Sequence, residues 1–354
     1  MADQSAVKAA IEAAIAATIA QTSASVAPTG DRGTEIVDAA SQAVSGGKRM
    51  RAAALVTSYF AHGGTDLEAV APVAAAVELF QAAALVHDDV LDDSHTRRGR
   101  PTTHLTFAAS HRRRADAGDP ERFGLAGAVL AGDLALVAAM RAVASAPLGH
   151  AGAVTMRLFT DMAELVTAGQ YLDMRLASAP LSALPDQEQD IRATMRSKTA
   201  SYTAEFPLAL GAAAARGEGA HIDSAREAGV PAGIAFQLRD DLLGIVGEAE
   251  VTGKPVGGDI REGKRTIPLW HAWTHTDDAG RAVLRAAVGN GDADDSLVRD
   301  AIAVIEESGA ISAVESEIAS LSDKASALVA DLDLPHERRT TLAQLLANWG
   351  VRRY

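Results

Sequence analysis

Read for its alternation of apolar and polar positions, the sequence is a succession of helical stretches, with few segments that alternate as a strand would. The pattern predicts helices over about 4–24, 31–45, 48–61, 66–93, 124–145, 150–177, 187–215, 219–247, 265–274, 278–288, 295–309, 311–331 and 335–348. Breaks fall where turn formers gather: Pro28-Thr29-Gly30, Gly46-Gly47, Gly63-Gly64, Ala117 to Pro120, Pro180 to Pro185, Gly217 to Gly219 and Gly253 to Gly258. Thr65 and Asp186 stand where N-caps belong, and Glu68, three residues after Thr65, completes the spacing of a capping box. The charge-dense stretch from His111 to Arg122 reads as a surface loop. No stretch has the composition of an interdomain linker, so the expectation is one all-α domain over residues 1–354.

Composition agrees with helices and narrows the chemistry. Hydrophobic residues make up 48% of the chain, enough for a large core, while aromatics are only 4%. Alanine, leucine, glutamate and arginine all favour helix. A formal charge of −13 argues against a general nucleic-acid binder, so basic clusters must act locally. The chain has no cysteine, which excludes disulfides and thiolate catalysis. Val7 to Ile19 is broken by Lys8 and Glu12 and reads as an amphipathic helix, not a signal peptide. No uninterrupted apolar run approaches the roughly 18 residues of a membrane span. A soluble, cytoplasmic protein is expected.

Two acidic clusters carry the candidate chemistry. The first is Asp88, Asp89, Asp92 and Asp93, followed by Arg97-Arg98-Gly99. Residues four apart share a helix face, so Asp88 points with Asp92 and Asp89 with Asp93. Like charges at that spacing cost a helix a few tenths of a kcal/mol per pair, a cost that a bound metal would explain. Aspartate is also a poor helix former, and these sit at the end of a long apolar stretch. Hard cations such as Mg²⁺ take a few carboxylates together with substrate phosphates. The double arginine is placed to clamp phosphate oxygens. The second cluster is Asp240-Asp241, with Gln237 one turn earlier and Gly244 where the next carboxylate would stand. A glycine-rich stretch carrying Lys254 and Asp259, then Lys264, follows it. Gly46-Gly47-Lys48-Arg49-Met50-Arg51 precedes a helix, where glycines admit close backbone approach and helix starts favour anions. Taken singly, such runs are ordinary turns or solvated faces; Lys198-Thr199 and Gln170 with Asp173 gain weight only in combination with the rest.

The ordered set is GGKRMR at 46–51, DDVLD at 88–92 with RRG at 97–99, GQYLD at 169–173, KT at 198–199, FQLRDD at 236–241 and GKPVGGDIREGKRT at 253–266. It resembles the trans-isoprenyl diphosphate synthase (polyprenyl synthetase) family, from Gly46 to the C-terminus. The resemblance implies an isoprenoid-synthase-type helical bundle around a deep central apolar cavity, and usually a homodimer. It implies that an allylic diphosphate is joined to isopentenyl diphosphate with three Mg²⁺ ions, Mn²⁺ being a substitute. Asp88, Asp92 and Asp240 would ligate metal, supported by Asp89, Asp241 and Asp259. Arg97, Lys198, Lys254 and Lys264 would contact the allylic diphosphate. Lys48, Arg51, Gln81 and Arg98 would hold isopentenyl diphosphate, and Arg352-Arg353 resemble a basic tail that closes over the site. Thr199 and Gln237 match polar residues near the developing cation. Two positions depart from the pattern: Gly244 replaces the last aspartate of the second motif, and Ala52 stands where a proline often follows the basic motif.

Other readings of the same residues are a class I terpene cyclase and a non-catalytic subunit of a heteromeric synthase. The cyclase needs no isopentenyl diphosphate site, yet Lys48, Arg51 and Arg98 are present, and a non-catalytic subunit tends to lose the aspartates that remain here. Product length follows from what precedes Asp88. Bulky aromatics four and five positions before it stop growth near C15 in the family; here those positions are Ala84 and Ala83. Phe80 stands one turn deeper, so geranylgeranyl diphosphate (C20) is expected if its ring faces the cavity, and longer products if it faces a helix.

Overall fold

The computed structural model describes residues 3–247 and 257–350, and these are helical almost throughout. They group into two compact units, Met1–Thr160 with Pro207–Ile222, and Asp161–Phe206 with Asp223–Tyr354. In the first unit α1 is Gln4–Val26, α2 Gly30–Val44, α3 Met50–Ala61, α4 Leu67–Leu91, α5 Thr103–Arg114 and α6 Pro120–Ser145. Helix α7 (Gly152–Ser178) begins in the first unit and ends in the second, and most of α9 (Phe206–Arg216) returns to the first.

Helix α4 is the core element of the first unit. From Val70 to Ala83 nearly every side chain is buried, including Leu79 and Phe80. Each fully buried Val, Leu or Phe contributes roughly 1.5–3 kcal/mol, so the helix is held chiefly by packing. Alanine does much of that packing: Ala128, Ala131, Ala135, Ala138, Ala139 and Ala142 line the buried side of α6. Where helices come closest only glycine fits, since a Cβ at Gly124 would overlap the His104 carbonyl and one at Gly132 the His87 ring. Small residues filling close crossings account for a large core with few aromatics.

The second unit holds the rest of α7, α8 (Glu188–Thr194), a π-helical stretch Met195–Glu205, α10 (His221–Val246), the short α11 (Gly258–Arg261), and C-terminal helices from Ile267 to Gly350. Its core gathers Leu238, Leu242 and Ile245 of α10 with Ile260, Ile267 and Trp273. Wide helical turns of this kind gather at functional sites, and this one carries Lys198 and Thr199.

Several local expectations give way. The stretch read as a loop is mostly helix: α5 runs to Arg114, its last turn basic as suits a helix C-terminus, and α6 starts at Pro120. Asp119 caps α6 by accepting the Glu121 N–H (2.9 Å). Asp66, not Thr65, caps α4, accepting from Ala69 (3.1 Å). Asp186 lies inside a 3₁₀ turn, Leu181–Gln187, and α8 begins after it. The apolar runs are interrupted by charged residues, as expected, yet Gln4–Val44, Leu67–Leu91 and Pro120–Ser145 are long and apolar enough, by length and composition, to cross a membrane. For Leu67–Leu91 the fold itself accounts for the character, 78% of its most apolar window being buried.

Candidate active site

In the first unit the site is built at the end of α4. Asp88 and Asp92 are half-buried and four apart, as are Gln81 and Leu85 further up. The helix stops at Leu91 because Asp93 takes a left-handed conformation (φ 49°) and the Ser94 N–H reaches back to the Asp89 carbonyl (2.9 Å). That is a Schellman stop with aspartate where glycine is usual. Asp93 thus ends the helix and is exposed, while Asp89 is buried at 3% exposure.

After this stop comes a hairpin absent from the predicted elements. Thr96–Arg97 pairs antiparallel with Arg100–Pro101, and Arg98 and Gly99 form its two-residue turn with φ 53° and 71°. Positive φ at both positions is the primed turn that matches strand twist. It sends the two arginines apart. Arg97 Nε and Nη2 donate to Asp89 Oδ1 (2.9 and 2.6 Å), and Nη2 lies 3.4 Å from Asp88 Oδ2. Arg98 Nη1 donates to the Ser45 carbonyl (3.0 Å), its guanidinium lying against Gly47. Burial pushes the Asp89 carboxyl up and Arg97 opposes it. Burial, then the charge of Arg49, lowers Arg98. A cleft of about 670 Å³ opens beside these groups, its lining including Gly46, Gly47, Asp89, Arg97 and Arg98.

Among the described residues Arg49, Asp93, Arg98 and Ala115 alone take positive φ without being glycine, and three of them lie in these motifs. Such conformations cost about 1–3 kcal/mol each and persist where surrounding contacts impose them. Lys48 is exposed, and Arg51 and Gln81 are half-buried.

In the second unit, Lys198 Nζ donates to Asp173 Oδ2 (2.5 Å). Gly169 makes this approach feasible, since a Cβ there would strike the backbone of Ser197 and Lys198. The quiet motifs GQYLD and KT are therefore one contact. Thr199 is half-buried on the same π-helical stretch. On α10 the Gln237 amide donates to Asp241 Oδ1 (2.6 Å). Asp241 is buried; that burial, and next the charge of Asp259, pushes its carboxyl up to about 8. Asp240, its neighbour, stays half-buried. Lys264 Nζ lies 2.9 Å from Glu262 and 3.8 Å from Asp259.

The missing aspartate has a structural counterpart. A Cβ at Gly244 would fall on the Asp259 carboxylate, so the side chain of Asp259 occupies the space the absent residue would fill. Among the described residues no three Asp, Glu or His side chains converge closely enough to hold an ion alone. Carboxylates offered in ones and twos suit Mg²⁺, which keeps waters and takes phosphate oxygens for the rest. Lys254, Arg352 and Arg353 lie outside the described residues.

The deeper residues of α4 separate by face. Phe80 is buried at 5% exposure and meets Phe159 edge-on, ring centroids 6.0 Å apart. Ala84, on the face of Asp88, is half-buried. Ala83 packs with Ala40 of α2 and Ala135 of α6, which makes it a helix-packing residue. Sequence reasoning also passed over Glu78, Arg49 and Glu12, which form one ion cluster. The signal was present, since Glu78 is the sole charged residue between Glu68 and His87.

Comparison with known proteins places the fold and the family. Residues 34–305 match the family model described as polyprenyl synthetase. The chain is 32% identical to the geranylfarnesyl diphosphate synthase of Aeropyrum pernix over 315 residues, 87% of this chain and 91% of that protein. It is 32% identical to the geranylgeranyl diphosphate synthase of Saccharolobus solfataricus, covering 70% and 69%. A crystal structure of geranylgeranyl pyrophosphate synthase from Corynebacterium glutamicum, complexed with isoprenyl diphosphate and magnesium, superposes with a TM-score of 0.92 at 35% identity, covering 99% of this chain and 100% of that one. The chain has the all-α fold of these synthases; it belongs to the polyprenyl synthetase family and is a prenyltransferase.

Proposed function

We propose that the chain works as one catalytic domain that elongates an allylic diphosphate (dimethylallyl, geranyl or farnesyl) with isopentenyl diphosphate to geranylgeranyl diphosphate. The observation that carries this reading is the divergent arginine pair: Arg97 turns to the carboxylates of α4, and Arg98 to the Gly46-Gly47 loop. Two cations on adjacent residues, aimed at two places, suit two diphosphates. Arg97, Lys198, Lys254 and Lys264 serve the allylic one, and Lys48, Arg51, Gln81 and Arg98 the other, with Arg352 and Arg353 as a closing tail. Asp88, Asp92 and Asp240 would hold magnesium, three ions in all, with Asp259 in place of the missing carboxylate. Bound magnesium supplies Lewis-acid neutralisation of the departing diphosphate.

The side chains divide the remaining work. The cations accept charge as the allylic C–O bond breaks, an electrostatic contribution made before the reaction begins. The isopentenyl double bond attacks C1, and the released diphosphate takes the proton. Thr199 and Gln237 present oxygens to the transient cation, and apolar walls keep water from quenching it.

Named products among the relatives run from geranylgeranyl to nonaprenyl diphosphate, so length depends on this chain's own residues. Ala84 leaves the C15 level open; Phe80, one turn of about 5.4 Å deeper, packs edge-on against Phe159 of α7, and this ring pair, not Phe80 alone, is the proposed floor. Chromatography of dephosphorylated products tests it. Ala84→Phe is expected to shorten the product toward C15 and Phe80→Ala to lengthen it. Unchanged length in both variants would remove α4 from that role. A homodimer is proposed through α6, where Phe123, Leu130 and Val137 recur every seven residues at 40–55% exposure. Light scattering showing a monomer at micromolar concentration would reject it.

A further inference from the structure

We propose that Arg49 is a positioning residue for the isopentenyl diphosphate clamp, acting through a buried ion cluster that fixes the turn between Lys48 and Arg51. The proposal rests on the assignment of Lys48, Arg51 and Arg98 to that diphosphate. Arg49 stands between those residues yet faces inward, at 6% exposure. Its guanidinium binds three elements at once. Nε and Nη2 donate to the two carboxylate oxygens of Glu12 on α1 (2.8 and 3.1 Å). Nη1 donates to the carbonyl of Val44, the last residue of α2 (2.7 Å), and lies 3.4 Å from Glu78 Oε2 on α4.

The backbone shows what this anchoring achieves. Arg49 is the N-cap of α3 in a left-handed conformation, and its side chain makes no cap bond. Glu78 supplies the cap from another helix: its Oε1 accepts the Ala52 N–H (3.1 Å), one of the orphan donors of the first turn. One carboxylate thus holds both the side chain of Arg49 and the start of α3. Glu78 is itself buried at 5% exposure and stands three residues before Gln81 on the same helix. On the outer side Arg98 takes the next carbonyl, Ser45, so consecutive carbonyls at the end of α2 are held by two arginines. The loop carrying Lys48 is fixed from within by Arg49 and from without by Arg98.

A conformation that L-residues disfavour is kept here by contacts that only a fork of N–H donors can make. Released from them, the turn would relax and move Lys48 and Arg51 off their shared target, raising the cost of binding without altering the reacting groups. A residue needed only for stability would lower the melting temperature and leave substrate affinity alone.

Steady-state kinetics with both substrates varied tests this. Arg49→Met is expected to raise the KM for isopentenyl diphosphate about tenfold or more, with the allylic KM within about twofold and kcat reduced only a few-fold. Arg49→Lys keeps the charge but cannot reach all three acceptors, and should fall between. If Arg49→Met fails to fold, Glu12→Gln at the exposed rim of the cluster gives the same split more weakly. Arg51→Ala separates the two levels of the argument. If it raises the isopentenyl KM while the Arg49 and Glu12 variants lose only melting temperature, the positioning role is overturned. If Arg51→Ala leaves that KM unchanged, the underlying site assignment fails instead.

Discussion

At the end of α4, the buried carboxylate beside Asp88 is neutralised by the protein itself: Asp89 holds Arg97 at 2.6 Å. On α10, the buried carboxylate beside Asp240 accepts a neutral amide, from Gln237, and has Asp259 for a neighbour, with the charge of Lys264 as a weaker counterweight. Both clusters read DD on an apolar background, yet among the described residues the buried aspartate of the first is ion-paired with an arginine and that of the second is hydrogen-bonded to an amide. Burial pushes both carboxyls toward the protonated form; at Asp89 the bonded Arg97 opposes it, and at Asp241 the charge of Asp259 adds to it. In the first cluster an arginine already holds the buried aspartate; in the second the buried aspartate would gain from added positive charge.

The largest effect should come from the first cluster. Asp88→Ala is expected to lower kcat by roughly a thousandfold or more while the melting temperature holds, because a ligand at the ionisation step is lost and no core contact goes with it. Near-normal turnover at saturating Mg²⁺ would break the comparison at its first term.

The next effect sharpens the second term. Asp259→Gly should weaken Mg²⁺ activation by about tenfold or more, on the order of 1.4 kcal/mol. Gly244→Asp in the native background should also be harmful, since its side chain would collide with Asp259. Combining Gly244→Asp with Asp259→Gly should recover a good part of the loss, read as Mg²⁺ dependence of both turnover and melting temperature with pyrophosphate present. Additive damage in the double variant would show that the two positions do not share one place.

The smallest effect is a pH dependence. The folded-state pKa of Asp241 is raised from 3.8 to about 8, so its contribution is fully present below about 4 and is lost as pH rises through about 8. In chelator, Asp241→Asn should therefore gain stability relative to the parent between pH 6 and 9, and the gain should shrink when Mg²⁺ and pyrophosphate are added. A constant difference across pH would mean that burial does not hold Asp241 in its protonated form.

The sequence made helices and motifs legible because both depend on local pattern. Apolar spacing placed α4, α6 and α10, and the order of DDVLD, RRG, KT and FQLRDD named the chemistry. What escaped depends on partners distant in sequence. The primed turn at Arg98-Gly99 reads as a plain charged turn until Ser45 and Asp89 are seen to take its arginines. Asp66 displaced Thr65 as cap, a choice between adjacent good candidates that pattern cannot make. Gly244 looked like a loss until Asp259 was found lying in its place. Ala83 and Ala84 are alike in sequence, but one packs on α2 and α6 and the other shares the face of Asp88.

The most direct test of the whole account is incubation of the purified protein with Mg²⁺, farnesyl diphosphate and labelled isopentenyl diphosphate, followed by chromatography of the dephosphorylated products. A labelled C20 alcohol is expected as the main product, formed only with Mg²⁺ present. Hydrocarbon products formed without uptake of label, or no elongation at saturating Mg²⁺, would contradict it.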